Sequence, residues 1–139
     1  MKIKLSTYTE GQQLPTHCFF ILNKGMNAGK PGDTPWANCF VAQFQTLEDR
    51  DHYYWLCYGI WVTGKFKYHL VGSAIPFIRK EELWQLLDLA DAAVYGRKDL
   101  FLKSVSLLFE AQRSSQQLVI RLSELHRARV EILKHFIHI

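Results

Sequence analysis

The strongest constraint on this chain is where its helix breakers lie. All four prolines and seven of the eight glycines precede residue 79, leaving only Gly96 beyond it. The aromatics divide at the same place, with fourteen of nineteen in the front part. Turn formers interleaved with aromatic and β-branched runs read as strands and turns. A long remainder with one glycine and no proline reads as helix. The expected fold is α+β: a largely antiparallel sheet of four or five strands in residues 1–78, then C-terminal helices in 79–139, as a helical hairpin or one long helix.

A chain of 139 residues is one domain's worth of material. Its 48% apolar and 22% charged content excludes wholesale disorder. The most apolar stretch, Tyr53 to Val62, is about half a spanning helix, so no membrane partner is expected. The opening Met-Lys-Ile-Lys-Leu-Ser-Thr has no apolar run after it, and the expected location is the cytoplasm. Cys18, Cys39 and Cys57 are odd in number and lack Cys-x-x-Cys spacing, so they read as small buried hydrophobes. The net charge of +4 permits an acidic or nucleic-acid partner without requiring one.

Alternation predicts strands around Ile3–Thr7 and Ala37–Gln45, and His17–Asn23, apolar on both faces, reads as an interior strand. Alternation also predicts an aromatic strand, His52 to Thr63, turning at Thr63-Gly64 into a last strand, Lys65 to Ala74. Further on, Leu83, Leu86, Leu87, Ala90 and Val94 recur at helical spacing, with Gly96 as a C-cap and Asp99 as the next N-cap. From Leu118 a heptad seam runs through Leu122, Leu125, Arg129, Ile132, Phe136 and Ile139. One helix over 99–139 would be roughly 60 Å long, twice the ~30 Å diameter of a domain this size. Either it breaks near Ser114-Ser115 or its far half packs on another chain. A homo-oligomer through residues 112–139 is the expectation.

Two features suggest a binding surface. The loop 23–38 places Gly25, Gly29 and Gly32 around Lys30, so its amides and ammonium can face a phosphate or other anion. It is no nucleotide-hydrolysing P-loop: three residues separate Gly25 from Gly29, and Pro31 stands where that motif needs Ser or Thr. Asn27, Lys30, Trp36 and Asn38 are the candidate ligand-binding residues. The aromatic strand, beside Lys65 and Lys67, offers faces on which bases could stack. No catalytic set or metal box stands out. Cys57 with His69 or His17 is an arrangement the spacing does not select, and Glu131, His135 and His138 on one helix cannot all reach one ion. No cofactor is expected.

At Asn27-Ala-Gly-Lys-Pro, Pro35-Trp-Ala-Asn-Cys-Phe and the aromatic stretch, the chain resembles a family of small proteins of unknown function from Bacteroidetes genomes that often accompany mobile elements. The resemblance covers about residues 17–78. It implies a bacterial cytoplasmic setting, leans toward a nucleic-acid or defence-related context, and transfers no catalytic residue. The leading functional expectation is a non-enzymatic binding module for nucleic acid or an anion, working through the 23–38 loop and the aromatic sheet. The alternative is a homo-oligomeric structural or regulatory protein built on the C-terminal helices, and a third reading is an enzyme with an unrecognised Cys/His site.

Overall fold

The structure, a computed structural model, describes residues 3–137. These divide into two compact units, with the boundary between Lys98 and Asp99. The first holds a four-stranded antiparallel sheet, the second most of one long helix, so the α+β reading stands.

The strands are β1 (Lys4–Thr7), β2 (Cys18–Leu22), β3 (Pro31–Gly32) and β4 (Cys39–Gln43), ordered β1-β4-β2-β3. Register follows the pleat. Phe20 lies opposite Val41 and Leu22 opposite Cys39, while Phe19 lies opposite Ala42 and Ile21 opposite Phe40. Both faces of this central pair are apolar because both are covered. On one face Tyr8 and Trp36 pack on Phe20, Cys39 and Val41. On the other, Phe19 meets Tyr54 edge-on, with ring centroids 5.3 Å apart.

The aromatic strand is a correction. Leu47–Val62 is a helix, α1. Thr46 caps it by accepting from the Asp49 amide at 3.1 Å, and Glu48 and Asp49 sit at its positive end. Its six residues His52–Cys57 are all buried. A segment buried on every side loses the polar face that marks helical periodicity, so its apolar run passes for an interior strand. The supposed hairpin turn is the end of this helix. The Thr63 hydroxyl donates to the Gly59 carbonyl at 2.7 Å, and Gly64 takes the left-handed conformation, φ +76°. The predicted last strand is likewise absent. Residues 65–69 form a 3₁₀ turn with Phe66 buried, and a tight reversal follows in which Val71 and Phe77 exchange backbone hydrogen bonds at 2.9 Å.

The second helix, α2 (Lys80–Val94), buries Leu83 and Leu87. A single 3₁₀ turn at Tyr95–Arg97 connects onward, so Gly96 is not a left-handed cap. Then α3 (Lys98–Phe136) runs 39 residues without a break at Ser114-Ser115, about 58 Å at 1.5 Å per residue. Asp99 lies inside its first turn, not at the cap.

Candidate functional site

The 23–38 connector is bound down along its length. Pro31 and Gly32 add to the sheet as β3. Its amides are already donated within the protein: Gly25 to Pro76, Ala28 to Gly25, Gly29 to Leu22 and Lys30 to Asn27, at 2.7–3.1 Å. Three side chains of α1 pin it from below. Arg50 pairs with Asp33, also donates to the Cys18 carbonyl at 3.1 Å, and lies over the Tyr54 ring. The Cys57 thiol donates to the Gly29 carbonyl at 3.2 Å. The Lys30 ammonium sits 5.3 Å from the centre of the Trp61 ring. Gly29 has φ +100°, and a Cβ there would come 2.6 Å from the Cγ of Phe66.

The four candidate ligand residues therefore do not converge as an open cradle. Lys30 is half-buried against Trp61, on the α1 side. Trp36 is half-buried over the opposite sheet face, close against Gly32. Asn27 and Asn38 are exposed. The partners that decide the loop's state, Arg50, Cys57, Trp61 and Phe66, belong to a segment whose helical form the alternation hid. The aromatic platform is also absent. Tyr53, Tyr54 and Trp55 are buried, in a ring series that runs from Tyr53 through Phe44 and Phe19 to Tyr54, Trp55 and Tyr58.

Polar chemistry in the first unit ties elements together. His52 Nε2 lies 2.7 Å from Asp91 Oδ1, and the Tyr53 hydroxyl donates to Asp91 Oδ2 at 3.1 Å, joining α1 to α2. Burial, and then the Asp91 charge, push the Tyr53 hydroxyl above its ordinary range. His69 Nδ1 sits 2.6 Å from Glu82 Oε1. All three cysteines are free thiols. Burial raises each of them, Cys57 most, so none has the depressed value of a nucleophile. Among the described residues no three His, Cys, Asp or Glu side chains could hold a metal. His138 lies outside the described residues.

The second candidate surface is α3. From Ser106 to Ile137 every residue is exposed except the half-buried Val130. The seam residues Leu118, Leu122, Leu125, Ile132 and Phe136 are 56–76% exposed. A lone surface helix in water should carry polar residues on its open face. A contiguous apolar stripe of this extent marks an interaction surface.

These features define an α+β protein with a four-stranded antiparallel sheet and one long helix bearing an open apolar seam. Among the described residues no helix is long and apolar enough to cross a membrane. The chain belongs to the Family of unknown function (DUF6943), whose profile matches residues 5–135. No curated protein and no solved structure matches the chain.

Proposed function

We propose that this is a non-enzymatic interaction protein that self-associates through its C-terminal helix, with residues 112–139 carrying the contact. The observation behind it is the uncovered seam of α3. Fully burying a Leu or Ile side chain stabilises by about 1.5–3 kcal/mol. Residues more than half exposed along five heptad positions leave much of that unrealised. A second helix offering the same seam would recover it by knobs-into-holes packing.

Light scattering on the full chain tests this. The wild type is expected at twice the chain mass, and Leu122→Asp at the monomer mass with the near-ultraviolet circular dichroism of the four tryptophans, all in the first unit, kept. Equal masses for the two would remove the proposal. The bacterial cytoplasmic setting and the company of mobile elements that the resemblance implies belong to the same proposal.

The loop reading, with a nucleic-acid phosphate or another anion against Lys30, has one observation in its favour. That ammonium has no carboxylate partner among the ion pairs of the described residues; it lies over the Trp61 ring. Against it stand the amides already donated inward and the burial of Tyr53, Tyr54 and Trp55 in a helix instead of on an open sheet face.

A further inference from the structure

We infer that the partner on α3 is a second copy of the chain lying antiparallel, with Leu122 of one copy against Leu118 of the other. This rests on the self-association proposed above and fixes its orientation.

Because α3 is unbroken, the seam extends backward from Leu118 in the same steps of three and four, through Ser115, Ala111 and Leu108. Its halves differ. Ala111 and Ser115 are small, whereas Leu118, Leu122, Leu125, Arg129 and Ile132 are large, and one of these is charged.

A parallel, in-register pair sets each residue against itself. Ala111 would face Ala111 and Ser115 would face Ser115, leaving thin layers where cores tolerate no voids. Arg129 would face Arg129, with no acidic residue anywhere on the seam from Leu108 to Ile132 to offset it. Like charges buried together are strongly disfavoured.

The antiparallel pair removes both faults. Ile132 then meets Leu108, Arg129 meets Ala111, Leu125 meets Ser115 and Leu122 meets Leu118, and the two-fold axis repeats the set. Large faces small in the two unequal layers. The Arg129 stem lies over Ala111, and the acidic group on that partner turn is Glu110. Beside the axis, Val119, 63% exposed, meets its own copy. On the other edge Arg121 approaches its own copy, a solvated contact of small cost.

The overlap from Leu108 to Ile132 spans roughly 36 Å. With the flanking Val119 and Leu133 it covers seven apolar side chains per copy that are 38–66% exposed. That is on the order of 600 Å² of apolar surface, near the ~800 Å² per partner of a standard stable interface.

Single cysteines read the orientation. Leu125→Cys and Ser115→Cys are made in the full chain, and each is oxidised with copper–phenanthroline, with wild type controlling for the three native thiols. The expected result is no interchain disulfide in either variant alone, and a disulfide-linked dimer confined to the mixed pairs, about half of the dimers, when the two are co-expressed in equal amounts. Crosslinking of Leu125→Cys with itself would overturn the antiparallel arrangement while leaving self-association standing. A monomeric mass before oxidation would overturn self-association itself. A dimer that crosslinks in no combination would place the contact off this seam and overturn the inference.

Discussion

Replacing Gly29 by alanine should destabilise the protein more than the same change at Gly25, and the difference measures how tightly the connector is clamped. Both glycines are left-handed, with φ of +100° and +91°. A non-glycine residue in that region costs about 1–2 kcal/mol, and this applies equally to both. Their surroundings differ. A Cβ at Gly25 meets nothing within 4 Å, whereas one at Gly29 would lie among Cγ and Cε2 of Phe66 at 2.6 and 2.7 Å. Phe66 is 1% exposed and has little room to move. Gly29 is held as well, its amide donating to Leu22 at 2.7 Å and its carbonyl accepting from Cys57 at 3.2 Å. Overpacking a tight site costs about 1–3 kcal/mol. The total for Gly29→Ala is then about 2–5 kcal/mol, against about 1–2 for Gly25→Ala. Urea unfolding gives both values, and repeating them with Phe66→Leu should shrink the difference by relieving the overlap. Equal losses at the two glycines, or a difference unmoved by Phe66→Leu, would refute the clamp.

Stability should also fall as pH rises above about 9. Burial raises the Cys57 thiol above its ordinary 9.0, and Tyr53 above its ordinary 10.0. The folded state therefore holds protons that the unfolded chain releases. Stability is complete below the unfolded values and declines as pH climbs toward the folded ones. Cys57→Ala should flatten the first part of that decline, and identical slopes in wild type and variant would contradict it. On the loop reading, Lys30→Ala weakens the electrophoretic shift of single- or double-stranded nucleic acid at low salt and flattens its salt dependence. Equal shifts by both chains would remove that reading.

Three of the four strands were legible, β1 and β4 because they alternate and β2 because a short run apolar on both faces lies between turn residues. The short β3 was not, since two residues, one of them Pro31, carry no period. The α1 helix was hidden by its own burial, although Thr46 three residues before Asp49 is a cap signal that arbitrates between helix and strand. Reading it as a strand left one of its two aromatic faces open and left Lys30 without its Trp61 partner, 31 positions away. Fixing which groups of the connector are free needs the tertiary contacts of Arg50, Cys57 and Phe66, and no local pattern in 23–38 encodes them. The α3 seam was the most legible candidate surface, because a heptad repeat is written in the sequence of one helix alone. Ser114 and Ser115 are weak helix formers, but neither removes a backbone donor as proline does, so the helix passes through them.

The self-association claim is tested most directly by sedimentation equilibrium of the unmodified full chain over a hundredfold range of concentration. A 16.2 kDa chain paired through α3 should approach twice that mass as concentration rises and dissociate reversibly on dilution. A single species of 16.2 kDa across the whole range, with α3 helical throughout, would contradict the claim.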